Sequence, residues 1–220
     1  MGLLRTLRDQ ESGLSLARRL RARRFALFRE LVDRLPRPVA ILDVGGTEAF
    51  WETMGFLDPA VVRITILNLD APRPRHESVT TVSGNACDMG LFDDGRFDVV
   101  FSNSVIEHVG DPADQAAMAR EVQRVGQRYF VQTPNRYFPI EPHFMFPWFQ
   151  FLPLRAQAWL LMNLSLSWGG RIRDRERAEH TARSVRLLSG RELGALFPGA
   201  ELNRERVLGL TKSWTAYKGW

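Results

Sequence analysis

Short apolar runs alternate with segments of helical periodicity along most of the chain. The runs predict seven strands: Val39–Val44, Val62–Leu69, Ser78–Ser83, Phe97–Ser102, Arg128–Thr133, Glu201–Leu210 and Thr211–Trp220. Helices are expected from Glu48 to Gly55, from Pro112 to Gly126, and after the N-cap residue Ser189. Strands that alternate with helices are typical of an α/β domain with a mostly parallel sheet and right-handed crossovers.

Leucines recur at helical spacing near the start of the chain, at positions 16, 20, 27, 31 and 35. This spacing predicts an amphipathic helix, which Pro36 and Pro38 end before the first strand begins. The chain is therefore expected to consist of a basic amphipathic helix within residues 1–35 and an α/β domain over residues 36–220.

The alternation breaks between the fifth strand and residue 184. The stretch PNRYFPIEPHFMFPWFQFLPL combines six Phe and Trp residues with five prolines, and an apolar helix that ends in glycines follows it. Prolines and Arg155 interrupt the apolar run before it reaches the roughly 20 residues that a membrane-spanning helix needs. Residues 136–184 are therefore expected to form a cap insertion. It could be a lid over a substrate or an extra layer of the core, with membrane contact possible in either case.

The excess positive charge of the chain is concentrated at one end. The 220 residues carry a formal net charge of +5, and residues 1–34, with nine arginines and four acids, account for all of it. A helix of this kind could pack on the domain with solvated arginines, or it could contact anionic lipid or a phosphate-bearing substrate. Nucleic acid is an unlikely partner, because a groove-binding protein usually spreads its basic residues across the binding site.

The single cysteine and the lack of an apolar leader favour the cytoplasm, with peripheral membrane contact as an option. The sequence does not indicate an oligomeric state.

The string VAILDVGGTEAFWE predicts a buried strand, a glycine turn and a helix. Such a turn exposes backbone N–H groups and the positive end of the helix dipole to a ligand. A dinucleotide-binding turn would need glycines at positions 45, 47 and 50, whereas this chain has Gly45, Thr47 and Phe50. The spacing therefore argues against NAD.

A second block, GNACDMGLFDDGRFDVVFSNSVIEHV at residues 84–109, contains a turn, a short apolar strand and a helix start. With Asp43 and Gly45, it resembles the class I S-adenosylmethionine-dependent methyltransferases, in particular their type 11-like branch. Asn85 stands where that family has an aspartate, and Thr47 and Ala49 replace its second and third glycines. The resemblance covers roughly residues 36–135, with a weaker match after 185. It implies a doubly wound, Rossmann-like, seven-stranded sheet with an antiparallel last strand.

The resemblance implies S-adenosylmethionine as cofactor and assigns its contacts by position. The backbone of the glycine turn would meet the amino-acid part, Asp43 would orient the turn and attract the ammonium, and an amide or acid after strand 2 would hold the ribose. Residues after strand 3 would meet the adenine, and the end of strand 4 would face the same crevice. The expected cofactor residues are Asp43, Gly45, Gly46, Thr47, Asn68, Asp70, Asn85, Ala86, Asp88, Ser102 and Asn103.

The expected reaction is methyl transfer to a small-molecule or lipid-linked acceptor. The sulfonium is an activated donor, so that catalysis needs proximity, alignment and at most one general base. His108 is the candidate base, Glu107 its orienting partner and His143 a rival base. No metal site is expected. Two alternatives stay open: a catalytically inactive cofactor-binding or interaction protein of the same fold, and an RNA methyltransferase that uses the TPNRYFP stretch.

Overall fold

The computed structural model describes residues 16–140, 143–144, 146–166 and 170–220, with the side chains of residues 16–18 excepted. Seven strands form one sheet in the order β3-β2-β1-β4-β5-β7-β6. The strands are β1 Val39–Val44, β2 Val62–Asn68, β3 Val79–Ser83, β4 Val99–Asn103, β5 Tyr129–Pro134, β6 Glu201–Val207 and β7 Leu210–Lys218. The helices are α1 Leu16–Val32, α2 Glu48–Thr53, α3 Pro112–Val125, α4 Leu154–Asn163, α5 Arg175–Arg183 and α6 Gly190–Leu196.

The strand directions confirm the predicted fold class. Strands β1 to β5 pair in parallel, and β7 pairs antiparallel with both β5 and β6. The chain order reverses between β1 and β4, which lie side by side. In open α/β sheets, ligands bind beyond the carboxyl ends of the strands at such a switch point.

Both faces of the sheet are covered, as the continuous apolar strands require. One face packs against α1 and α2, where Phe28 and Trp51 are fully buried beside Ile41. The other face packs against α3 and α6 through Val122 and Leu193. Because helices cover both faces of the sheet, we expect a ligand to bind at the carboxyl ends of the strands.

Helix α1 packs on the sheet with the face that the leucines predicted. Leu20 and Leu31 are buried, and Leu27 is partly buried against the same core. Phe25 and Phe28 widen this face and join an aromatic cluster with Trp51, whose ring centroid lies 5.9 Å from that of Phe25. The side chain of Leu16 lies outside the described part.

Strand β4 begins two residues later than predicted. Phe97 forms an isolated bridge with Gly126 instead of a ladder, and Asp98 Oδ2 accepts a 2.8 Å hydrogen bond from Ala40 N. A side chain that takes a backbone donor in this way competes with ladder pairing at the start of the strand.

The predicted cap insertion folds around a small core of its own. A 3-10 helix at Phe149–Phe151 precedes α4, and α4 packs against α5. Phe149, Leu161 and Ala178 are buried at the centre. None of the helices in the described ranges is long and apolar enough to cross a bilayer. Trp168 and Gly169, which the sequence placed in this segment, lie outside those ranges.

Candidate functional site

The glycine turn after β1 has no room for side chains. Gly45 has a φ of +75°, and a Cβ there would lie 2.6 Å from the Val105 side chain. A Cβ on Gly46 would lie 1.7 Å from Asp43 Oδ2. A side chain at Gly45 would collide with the segment after β4, and a side chain at Gly46 would collide with β1, so chain packing requires both glycines.

Asp43 lies beneath the turn. Its side chain is 1% exposed, and Trp51 Nε1 donates a 2.6 Å hydrogen bond to its Oδ2. Burial raises the pKa of Asp43 to about 7, against the opposing effect of the Trp51 hydrogen bond. Its Oδ1 is buried without a hydrogen-bond partner among the described residues. Asp43 therefore supports the turn and lacks the open path to solvent that a direct ligand contact would need.

A cavity of about 320 Å³ adjoins the turn and brings together four of the predicted cofactor residues: Gly46, Thr47, Asn68 and Asp70. Asn68 Nδ2 donates a 2.7 Å hydrogen bond to Gly46 O, which ties the end of β2 to the turn. Asp70 is exposed, and Thr47 is the N-cap of α2. Asp70 thus brings an exposed carboxylate to the cavity, which Glu48 lines as well.

The loop after β2 closes the far side of this cavity, which sequence reasoning did not anticipate. Glu48 Oε1, on the first turn of α2, accepts hydrogen bonds of 2.9 Å from Arg75 N and 2.7 Å from His76 N. Arg73 and Arg75 line the cavity. The Glu48–Arg75 contact spans 27 positions, so no local pattern indicates it.

Asn85, Ala86 and Asp88 do not line this cavity. Asn85 Oδ1 accepts from Cys87 N at 2.9 Å, and Asp88 Oδ1 accepts from Gly90 N at 3.2 Å. Both polar side chains therefore stabilise their own turn, and Ala86 packs against the core.

Ser102 also differs from its predicted position. It is fully buried, and its hydroxyl donates a 3.2 Å hydrogen bond to Val44 O, so it joins β4 to β1 instead of facing the crevice. Asn103 ends β4 and is half-buried.

Ser104 is a site residue that the sequence analysis missed. It has a φ of +57°, its N–H donates to Gln132 O at 3.0 Å, and its hydroxyl donates to Gln132 Oε1 at 3.0 Å. Left-handed backbone in a non-glycine residue costs free energy and is found preferentially at functional sites. The left-handed conformation of Ser104 turns the chain sharply from β4 into the next segment.

That segment is a short 3-10 helix, Ile106–His108, which carries two of the predicted catalytic residues. Glu107 is fully buried, and its Oε2 accepts a 3.0 Å hydrogen bond from the hydroxyl of Thr133. His108 is exposed, and its Nε2 lies 3.0 Å from Nε2 of His143. The fold therefore brings together the two histidines that the sequence proposed as rival bases, although 35 positions separate them.

Both histidines line a second cavity, of about 620 Å³, between the sheet edge and the cap. Three exposed arginines, at positions 171, 173 and 177, line it as well. The arrangement offers imidazole nitrogens beside cationic side chains, which suits a polar or anionic ligand.

A buried ion cluster joins α1 to the last two strands. Arg24 lies 3.8 Å from Glu205 Oε2, and Lys212 Nζ donates to Glu205 Oε1 at 3.1 Å. Burial lowers the pKa of Arg24 and of Lys212. Burial by itself raises the pKa of Glu205. The positive charges of Arg24 and Lys212 have the larger effect, so the pKa of that carboxyl is lowered. Arg24 therefore differs from the solvated arginines expected of the basic helix. Arg5 and Arg8 lie outside the described residues.

Comparison with known proteins shows what the central part of the chain is similar to. Residues 49–129 match the family model described as a methyltransferase domain. Uncharacterized proteins of the Mycobacterium tuberculosis strains CDC 1551 and H37Rv are 33% identical over 136 residues, which cover 54% of this chain. The chain spans 44% of the length of these curated relatives.

Solved structures share the fold at low identity. A 1,6-didemethyltoxoflavin-N1-methyltransferase of Burkholderia thailandensis aligns over 90% of this chain and 77% of its own, with 19% identity and a TM-score of 0.53. An S-adenosylmethionine-dependent methyltransferase of Aquifex aeolicus aligns over 98% and 96%, with 11% identity and a TM-score of 0.53. The domain match, the strand order and the glycine turn agree with the predicted resemblance to the class I S-adenosylmethionine-dependent methyltransferases, and these solved structures share the fold of this chain.

Proposed function

We propose that the protein transfers a methyl group from S-adenosylmethionine to a small-molecule or lipid-linked acceptor. The observation that carries the proposal is the glycine turn at the switch point of the sheet, beside a cavity of about 320 Å³. The match of residues 49–129 to a methyltransferase domain supports the same reading.

The residues at this cavity fit the cofactor. Gly45 N–H donates to Leu67 O at 2.8 Å and fixes the turn, and the lack of side chains lets a ligand approach the turn's backbone closely. The ribose diol needs hydrogen-bond acceptors, and Asp70 supplies a carboxylate at the cavity. The amide of Asn68 is already bonded to Gly46 O, so we assign it mainly to holding the turn. Oδ1 of Asp43 is buried without a hydrogen-bond partner among the described residues, and it places an electronegative atom beneath the turn.

The acceptor is assigned to the cavity of about 620 Å³ beside His108 and His143. Bound S-adenosylmethionine supplies an activated methyl group, so the chain's own contribution is alignment and removal of a proton from the acceptor. Val105 contacts the glycine turn and lies two residues before Glu107, which makes the two sites neighbours along one segment.

The Burkholderia structure contains S-adenosylhomocysteine and 1,6-didemethyltoxoflavin, which supports the cofactor and a small acceptor. A structure described as the CurJ carbon methyltransferase aligns over 97% of this chain and 56% of its own, with 10% identity and a TM-score of 0.58. Acceptors thus differ between proteins of this fold. The protein would act as a peripheral enzyme of the cytoplasm if its acceptor is lipid-linked.

Calorimetry with S-adenosylhomocysteine and with NAD tests the cofactor assignment. We expect binding of the first and no response to the second. Asp70→Ala should weaken binding about tenfold, since a charge-assisted hydrogen bond contributes about 1.5–3 kcal/mol. Asp33→Ala is the matched control, because Asp33 is an exposed acid before the amino end of β1 that pairs with Arg37 at the surface. Tight NAD binding, or equal affinities of both variants, would contradict the assignment.

Transfer of labelled methyl groups into fractions of a cell extract tests turnover. Label in the lipid or small-molecule fraction supports the proposal, and label in RNA favours the RNA methyltransferase. Cofactor binding without label in any fraction favours a catalytically inactive binding protein.

A further inference from the structure

The donor atoms of Glu107, His108 and His143 all lie within 4.8 Å of one another. We propose that these three residues form a binding site for a divalent first-row transition metal ion, with Zn²⁺ as the best fit to the donors. The two histidines and one glutamate would be three protein ligands, which is the number found in zinc sites that keep a position open for substrate. The sequence analysis expected no metal site.

The distances support convergence on one point. Two Zn–N bonds of about 2.0–2.1 Å at a tetrahedral angle place their nitrogens about 3.3 Å apart. The two Nε2 atoms are 3.0 Å apart, and their rings are at 89° to each other. A direct hydrogen bond between two neutral imidazoles would have a similar length, so the pair by itself does not distinguish a metal site from a histidine pair. The buried carboxylate favours a metal site, because it adds a third, anionic donor atom within 4.8 Å of a ring nitrogen of each histidine.

Glu107 is held in the way expected of a metal ligand. The Thr133 hydroxyl donates to its Oε2, which orients the carboxylate as outer-shell partners of metal ligands do. Its charge also opposes, at Arg24, the lowering of the pKa that burial causes. A fully buried carboxylate at this position is costly unless cations compensate it. A bound ion would provide that compensation from the side of the cavity.

The ion would face the acceptor cavity, because His108 and His143 both line it. The role of the ion rests on the proposed methyl transfer. An ion at this position would suit an acceptor with a hydroxyl group. The hydroxyl oxygen would bind the ion, which lowers its pKa, and its proton would leave to solvent. The alkoxide would then attack the methyl carbon. The new C–O bond forms as the C–S bond breaks, and the sulfonium becomes a neutral thioether.

Metal titration of the full chain tests the site without any need for turnover. The protein is stripped with a chelator and titrated with Zn²⁺ by calorimetry, with Co²⁺ as a visible-absorption probe and Mg²⁺ as a poor match for nitrogen ligands. We expect one Zn²⁺ per chain and a Co²⁺ spectrum typical of low coordination number. His108→Ala, His143→Ala and Glu107→Gln should each weaken Zn²⁺ binding at least tenfold, and Thr133→Val should weaken it about 10–100-fold.

His180→Ala is the matched control, since it removes an exposed histidine that is not part of the cluster. Unchanged affinity for S-adenosylhomocysteine in each variant shows that the fold and the cofactor site persist. A failure of the metal site is therefore distinguishable from a failure of the proposed function. The metal site would be wrong if the unaltered chain binds no Zn²⁺, or if it binds no more tightly than the variant with both His108→Ala and His143→Ala.

Discussion

Asp43 is a buried carboxyl group whose surroundings oppose its charge. Trp51 Nε1 is its one hydrogen-bond donor among the described residues, and Gly46 packs directly against its carboxylate. Burial therefore raises its pKa from 3.8 to about 7. A raised pKa means that the folded state holds the proton more tightly than the unfolded state does.

The stability that Asp43 contributes should depend on pH in a defined direction. It is fully present below pH 3.8 and is lost as the pH rises through about 7. At about 1.4 kcal/mol per unit, the total change is at most about 4 kcal/mol. We expect Asp43→Asn to remove this dependence, because the amide keeps an acceptor for Trp51 but has no proton to lose. Melting temperatures at pH 5 and pH 8 check this, and equal slopes for both proteins would contradict it.

At the scale of single elements, α1 and the cap combine packing with polar contacts. Helix α1 buries its aromatic side on the sheet and brings Arg24 to Glu205 on β6. The cap has its own small core around Phe149, while Trp148 and Phe151 are 53% and 43% exposed. Buried and exposed aromatic residues therefore have separable roles in the cap.

Arg24→Ala should destabilise the protein by about 1–3 kcal/mol, because Glu205 would remain buried with less compensation. Arg23→Ala, one residue away and exposed, should stay within about 0.5 kcal/mol. Urea unfolding of both variants measures the difference. Equal effects would mean that the Arg24 contact contributes nothing to the docking of α1.

Phe149→Ala should lower the free energy of unfolding by about 3–5 kcal/mol, because it empties the centre of the cap core. Trp148→Ala or Phe151→Ala should instead weaken acceptor turnover and leave the affinity for S-adenosylhomocysteine intact if the cap is a lid. Urea unfolding and steady-state kinetics on the same three variants separate these effects. Loss of stability and of cofactor binding in all three would show that the cap is only a core layer.

At the scale of the whole molecule, the charge is unevenly distributed. Residues 1–34 carry the net charge of +5, and the rest of the chain is neutral by formal count. Tyr137, Trp148 and Trp159 expose large aromatic surfaces on the cap. A basic segment and exposed aromatic residues in one molecule are the combination that peripheral membrane proteins use.

Flotation with anionic vesicles tests membrane contact. We expect binding at low salt that falls steeply as salt is raised, because attraction between exposed arginines and anionic lipid is screened. Neutral vesicles are the control. No flotation at low salt would exclude membrane contact as a property of this chain.

By itself the sequence determined where most of the strands lie, the glycine turn and the resemblance to methyltransferases, because these depend on local signals. Apolar runs, N-cap residues and glycine spacing specify strands, helix starts and the turn from residues close together in the chain. The bounds of β1 agree with the prediction residue for residue, and α6 begins at the predicted N-cap Ser189.

The tertiary structure alone decided which polar residues face a cavity. Asp43 and Ser102 became internal supports, Asn85 and Asp88 became turn residues, and Ser104 emerged as a strained link. Side-chain direction at a strand end depends on the neighbouring strand and loop, which no local pattern encodes. The pairing of His108 with His143 follows from the way the cap returns to the sheet edge, since contacts across 35 positions exist only once the chain has folded.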